Sequence, residues 1–380
     1  MREIEVIIIG GGLAGLSAAC SLGQKGKEVL LLEKSDYPRH KVCGEYVSKE
    51  VLPFLESIGF NPFDQGAVDI SEFSLFDEQG HRADSPLPLG GFGLSRYAFD
   101  QALFKLAQKS GCEIKKDRVT EVMQVKEHFL VTTRSGDSYK AKVVLGAFGK
   151  RSHLDKTLNR PFMNKKAPYL AAKYHVRGDF PSELVGLYHF RGGYCGVSKV
   201  ESGELNICYI VDYDQFKKYG DLADFEEEVL KRHPSLGPVL SNATMTFDRR
   251  LAISQISFEN KSRSERGMLM LGDTAGMIHP LCGNGMAMAL TSAQMASYFV
   301  VQYLEGYIDR EQLIESYTKQ WHSKFGNRMR ASKVFNYLFY RPRLFSGGIR
   351  LLQKLPFLLP PLIRLSHGHP SDISLAKQKS

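Results

Sequence analysis

Apolar residues along this chain fall into two patterns. The first is the short, almost unbroken run. Ile4–Ile9, Glu28–Leu32, Val143–Ala147 and Met268–Leu271 show little alternation, as expected for strands covered on both faces. The alanine- and leucine-rich stretch Leu13–Lys25 between the first two predicts a helix, so the chain opens with a βαβ unit. The second pattern is aromatic-rich and broken by glycine or polar turns. Tyr169–Val176, Leu184–Phe190, Tyr194–Val200 and Leu205–Val211 follow it and predict an antiparallel sheet, with a helix at Phe225–Lys231.

Between these regions, Val47–Ile58 reads as a helix with Ser48 as its cap, and Tyr97–Ser110 as a helix capped by Ser95. Ile70–Phe76 and His81–Ala83 form a hairpin. Glu113–Lys116 is a strand, and Val119–Val125, Phe129–Thr133 and Ser138–Val144 form a β-meander. A helix from about Gly285 to Leu304 follows Met268–Leu271, so the chain leaves its first domain and returns to it. The expected division is 1–160 with 261–310, then 161–260, then a helical, basic region at 311–380.

Composition narrows the function classes. With 43% hydrophobic and 24% charged residues the chain is an ordinary globular protein. Its formal net charge of +9 suits an anionic cofactor or a lipid headgroup. No zinc-finger spacing, basic-region helix or aromatic RNA-binding signature accompanies that charge, so no nucleic-acid partner is expected. The six cysteines show no C-x-x-C pair and read as free thiols. Neither a signal peptide nor a transmembrane run is recognised, so a cytoplasmic location is expected.

The chemistry begins at "GGGLAG". Gly10-x-Gly12-x-x-Gly15 sits between a buried strand and a helix, where glycines permit a tight turn, close approach to a pyrophosphate and helix–strand packing. Glu33, 21 residues after Gly12, ends the second strand where an acid accepts hydrogen bonds from ribose hydroxyls. These residues predict a dinucleotide and leave FAD and NAD both open. A second glycine segment, "GMLMLGDTAGMIHPLCGNGMAMAL" at 267–290, pairs a buried strand with Gly272-Asp273 and then glycines that open a helix. In these motifs the sequence resembles the FAD-dependent oxidoreductases of the p-hydroxybenzoate hydroxylase superfamily, in particular the geranylgeranyl reductase-like branch.

That resemblance implies a Rossmann-type α/β FAD-binding domain, a βαβ unit with parallel sheet and β-meander, joined to an antiparallel-sheet substrate domain and a helical C-terminal region. It implies FAD contacts at Gly10, Gly12, Ala14, Gly15, Glu33, Gly44, Arg96, Val119, Asp273, Gly285 and Met286. The bland reading of Arg96 is an intrahelical pair with Asp100. Cys43-Gly44 matches a C-G pair on a loop that faces the flavin in the reductase branch. Cys43 is therefore a candidate catalytic thiol or a small packing residue, and Lys41 a candidate flavin contact or a solvated side chain. Tyr194 is a candidate cavity residue or a core aromatic.

Flavin halogenases carry a tryptophan-x-tryptophan-x-isoleucine-proline motif in the region where this chain has Tyr194-Cys195-Gly196-Val197-Ser198. The only tryptophan is Trp321, which argues against halogenation. Geranylgeranyl reductases have a phenylalanine-proline version, from which the chain also departs. Aromatic hydroxylases have alanine-aspartate-glycine where Ala147-Phe148-Gly149 stands here. The leading expectation is reduction of C=C bonds in an apolar, isoprenoid- or polyene-like small molecule, with NAD(P)H a candidate electron donor. The alternatives are monooxygenation of an aromatic or lipid-like substrate, and a catalytically silent FAD-binding lipid carrier. Residues 333–366 alternate apolar and basic side chains, and predict either peripheral membrane contact or a lobe packed over the substrate cavity.

Overall fold

The computed structural model describes residues 1–368. Strand β1 (Arg2–Ile9), helix α1 (Leu13–Gly23) and strand β2 (Val29–Glu33) form the expected βαβ unit, with Val6 opposite Val29 and Ile9 opposite Leu32 in parallel register. Both strands are buried because sheet neighbours flank them and helices cover the sheet.

The chain then departs from expectation. Val47–Ile58 is not one helix: Tyr46–Ser48 (β3) is a strand, a 3₁₀ turn follows at Lys49–Val51, and the helix is confined to Leu52–Ser57. Ser48 still caps, accepting a hydrogen bond from the Glu50 N–H. Tyr46–Ser48 is extended because it pairs with Gly91–Gly93, a partner that local sequence does not reveal. The hairpin forms from Val68–Phe76 (β4) and Arg82–Gly93 (β5), but its second strand runs to Gly93, far past the expected His81–Ala83, because β3 also pairs with its end, and both strands belong to the second sheet. Helix α2 (Arg96–Lys109), capped by Ser95, returns the chain to Glu113–Lys116 (β6) and to the meander Val119–Val125 (β7), His128–Thr133 (β8) and Ser138–Gly146 (β9).

Strands Tyr169–Arg177 (β10), Leu184–Phe190 (β11), Gly193–Lys199 (β12) and Leu205–Asp212 (β13) follow the expected spans. They pair antiparallel, but the sheet is mixed, because β11 meets β4 in parallel. The helix expected at Phe225–Lys231 is a short turn at Leu222–Phe225 continued as a π-helical turn at Glu226–Leu230. Met268–Met270 (β14) then re-enters the first sheet beside β9, in parallel. Helices α3 (Gly285–Leu304) and α4 (Arg310–Phe339) pack against that domain, followed by α5 (Pro342–Lys354) and α6 (Leu359–Ser366). Positions 369–380 of the expected basic region lie outside the described residues. No helix among the described residues is long and apolar enough to cross a membrane.

Candidate functional site

The glycine turn divides its labour. Gly10 has φ +106°, and a Cβ there would stand 2.4 Å from the Ala147 carbonyl oxygen on the neighbouring strand. A Cβ on Gly15 would stand 1.9 Å from the Gly10 carbonyl oxygen, so Gly15 is a packing position, and it does not line the cavity described below. Gly12 differs. The atoms nearest its absent Cβ are Arg96 Nη2 at 3.8 Å and Lys41 Nζ at 3.9 Å. Helix α1 begins there with no side-chain cap and no acidic residue in its first turn. Free N–H groups and two cations thus converge on one opening, which suits an anionic phosphate group.

Around this turn the expected residues assemble. Glu33 is buried, and its carboxylate accepts hydrogen bonds from Gly11 N at 2.7 Å and Ser35 N at 3.0 Å. Arg39 lies 3.0 Å from it. Arg96 does make the intrahelical pair, with Nε 2.8 Å from Asp100 Oδ1 and Nη2 2.9 Å from Oδ2, while its guanidinium also faces the cavity. Lys41 Nζ shares Asp100 Oδ2 at 2.6 Å. Burial would raise the Asp100 carboxyl, but Arg96 and Lys41 outweigh it and hold the group low. Burial, helped by the Arg96 charge, pushes the Lys41 ammonium down to about 8.

The second glycine segment is stitched to the first domain. Gly149 N donates to Thr274 Oγ1 at 2.8 Å, and the fully buried Arg160 donates to the Thr274 carbonyl at 2.9 Å. Lys261 Nζ donates to the carbonyls of Lys150 and Asp273. Burial raises the Asp273 carboxyl, against the pull of Lys261 and Lys150. Helix α3 starts at Gly285 without a side-chain cap, and a Cβ at either Gly44 or Gly285 would meet no atom within 4 Å. Ala14 closes the gap between the two segments, 3.3 Å from where a Gly272 Cβ would be.

Gly10, Gly12, Ala14, Glu33, Cys43, Gly44, Arg96, Val119, Tyr194, Asp273, Gly285 and Met286 all line a single cavity of about 1270 Å³. Its far wall is apolar, built from Leu87, Val185, Leu187, Ile349, Leu352 and Leu359. Cys43 is half-buried beside the turn; burial raises its thiol above the ordinary value, against the pull of Arg96. A raised thiol stays protonated at neutral pH, which disfavours a thiolate nucleophile. Tyr194 makes ring contacts with Phe339 at 5.5 Å and His279 at 6.4 Å and serves as an aromatic wall.

One group escaped the sequence reading. Glu45, in the left-handed region with φ 55°, is fully buried and accepts hydrogen bonds from Lys173 Nζ and from Arg96 N at 2.6 Å. His175 Nε2 lies 2.8 Å from its other oxygen. With His40 these groups lie close enough to hold a cation. The Lys173 ammonium already neutralises the carboxylate, however, so the cluster is a buried ion network. A lysine within the otherwise apolar strand "YLAAKYHV" was the available signal, since a buried charge requires a partner.

The arrangement fits an extended dinucleotide, with an uncapped glycine turn, two cations and the buried Glu33 at one end, and an uncapped helix with side-chain-free glycines at the other. Comparison with known proteins agrees. The family described as "FAD binding domain" matches residues 3–330. Digeranylgeranylglycerophospholipid reductase 2 of Methanopyrus kandleri is 24% identical over 351 residues, covering 88% of this chain and 87% of that protein. Conditioned medium factor receptor 1 of Dictyostelium discoideum is 23% identical over 379 residues, covering 92% and 74%. The flavin-dependent brominase Bmp2 superposes with a TM-score of 0.80 at 19% identity, covering 96% of this chain and 93% of the brominase, a likeness of fold. The chain belongs to the FAD-binding-domain family and is an FAD-dependent oxidoreductase of the superfamily that contains the geranylgeranyl reductases and the flavin halogenases.

Proposed function

We propose that the protein reduces carbon–carbon double bonds of an apolar, isoprenoid- or polyene-like chain. The observation that carries this reading is the cavity, which runs from the dinucleotide turn to an apolar wall of strand and C-terminal helix residues. At about 1270 Å³ it exceeds the ~1,000 Å³ upper range for a drug-sized ligand, leaving space for a chain beside a cofactor. The digeranylgeranylglycerophospholipid reductase among its relatives supports the same substrate class.

FAD, when bound, supplies the hydride. The chain's own residues bind, orient and protonate. Gly12, Arg96 and Lys41 would hold the diphosphate, Glu33 the adenosine ribose and Asp273 the ribityl end, while Gly44 and Gly285 would leave room for the ring and Met286 would lie beside it. Val119 backs the adenine through its backbone. Hydride addition to one carbon requires a proton at its neighbour, and Cys43 is the proton donor in this scheme. Its raised thiol keeps the proton at neutral pH, and Arg96 and Lys173 stabilise the thiolate left behind until solvent reprotonates it. Tyr194 shapes the wall against which the substrate lies.

Cys43→Ala is expected to lower turnover by about 10²-fold, the usual range for a lost general acid, while FAD stays bound. Unchanged turnover would remove Cys43 from the mechanism. A second expectation concerns pH. With Lys41 near 8 in the free protein, a bound diphosphate raises its affinity for a proton, so binding takes up a proton above that pH. FAD affinity should therefore be level below pH 8 and fall above it, by up to about tenfold per pH unit. Lys41→Gln should flatten this slope in a fluorescence titration.

Product analysis tests the reaction itself. With dithionite as donor and oxygen excluded, a geranylgeranyl lipid should gain two hydrogens per double bond by mass spectrometry. A product that forms only with oxygen and carries an added oxygen atom would replace this reading by monooxygenation.

A further inference from the structure

We propose that the face formed by α5 and the Pro356–Ser366 segment docks onto an anionic phospholipid bilayer. The proposal goes beyond the reaction and stands whether or not double bonds are reduced.

Helix α5 carries three distinct rows. Ser346 and Ile349 are buried against the body of the protein. Leu344 and Leu351, seven residues apart, fall on one side of a 3.6-residue helix, and Leu355 follows at its C-cap. Arg343, Arg350 and Lys354 repeat the same spacing one position earlier, so a basic row runs alongside the leucine row. The leucines are not packed away: Leu344 is 55% and Leu351 51% exposed. Phe357 at 67% and Leu365 at 53% extend the patch across the next segment. Large side chains exposed together on one face mark an interaction surface, whereas scattered single ones do not.

Charge identifies the partner. No acidic residue occurs between Glu315 and Asp372, while Arg330, Lys333, Arg341, Arg343, Arg350, Lys354 and Arg364 all fall in that interval. Arg343, Lys354 and Arg364 have no acidic partner among the described residues. Leucines flanked by cations with no acidic partner among the described residues suit the boundary of an anionic bilayer, with apolar side chains immersed and the cations at the headgroups. The patch is also continuous with the cavity. Leu344, Leu351 and Leu365 line it together with Gly348, Leu358 and Leu362, so the exposed leucines ring its mouth. A hydrocarbon chain could pass from bilayer to cavity without crossing water.

The test is sedimentation of the full, FAD-loaded chain with vesicles of phosphatidylcholine alone or mixed with phosphatidylglycerol. Binding is expected to the mixed vesicles, weakened by salt, and to be far weaker to phosphatidylcholine alone. Arg343→Gln with Lys354→Gln should weaken it about 25-fold, about fivefold per charge. Leu351→Ser with Phe357→Ser should weaken it through the apolar row. Flavin absorbance and melting temperature of each variant report whether it is folded. No binding by the wild type, equal binding to both vesicle types, or folded variants that bind like the wild type would each overturn the proposal. Because vesicle binding needs no turnover, its failure is distinct from failure of the reductase reading.

Discussion

Glu45→Ala is expected to lower the free energy of unfolding by about 3–5 kcal/mol, the usual cost of removing one partner from a buried ion pair. Glu45 and Lys173 are both fully buried, and His175 is nearly so. Truncation would leave the Lys173 ammonium in a sheet interior with its counter-charge gone. It would also free the N-terminus of α2, whose Arg96 N–H donates to the same carboxylate. The left-handed backbone at Glu45 is held in place by these bonds, and strain of this kind persists only where its surroundings fix it. Glu45→Gln with Lys173→Met, which removes both charges, should recover part of the loss. Hydrogen bonding and charge from His175 and Lys173 hold the Glu45 carboxyl low despite its burial. Its contribution is therefore present at neutral pH and lost as pH falls through the lowered value. A urea-denaturation difference within about 0.5 kcal/mol of wild type would contradict the buried-network reading.

The second large effect separates two glycines of one motif. Gly12→Val should leave the protein folded and reduce FAD affinity by tenfold or more, about 1.4 kcal/mol at least. No neighbouring atom lies nearer than 3.8 Å to its Cβ position, but a branched side chain there fills the opening in front of Arg96 and Lys41. Gly15→Ala should instead act first on stability. Its Cβ would meet the Gly10 carbonyl oxygen at 1.9 Å, so α1 must shift away from the turn, at a cost of about 1–3 kcal/mol or more. Melting curves should therefore separate the two variants, with Gly15→Ala lowered and Gly12→Val near wild type, while the FAD titration should show the loss for Gly12→Val. A folded Gly12→Val protein with wild-type FAD affinity would contradict the location of the diphosphate.

Local signals made much of this legible. Runs covered on both faces have their own pattern, which is why β1, β2 and the returning strand β14 lie where the sequence suggested. Turn residues bounded the meander and β10–β13 to within a residue or two. What depends on a distant partner was not legible. The β4–β5 hairpin was recognisable, but its parallel contact with β11, more than a hundred residues on, leaves no local trace. Tyr46–Ser48 is extended only because Gly91–Gly93 lies beside it.

The site divides in the same way. Gly12 and Glu33 were legible from their offsets from strand and helix ends, Asp273 and Gly285 from the family resemblance of their segment, and all four line the cavity. Arg96 was read with its partner Asp100; the pair forms, and the side chain lines the cavity at the same time. Lys150, Lys261 and the β10 pair Lys173 and His175 come from three separate segments and converge only in the folded chain. Of these, none was singled out in sequence, although Lys173 is a charge in a largely apolar strand.

The central claim is that one cavity brings FAD and an apolar chain together for transfer without oxygen. Single turnover tests it most directly. The FAD-loaded protein is reduced anaerobically, freed of excess reductant and mixed with a geranylgeranyl lipid while flavin absorbance is followed. The account predicts that the oxidised flavin spectrum returns without oxygen, with one double bond lost per flavin reoxidised. A flavin that stays reduced until oxygen is admitted, with oxygen appearing in the product, would contradict it.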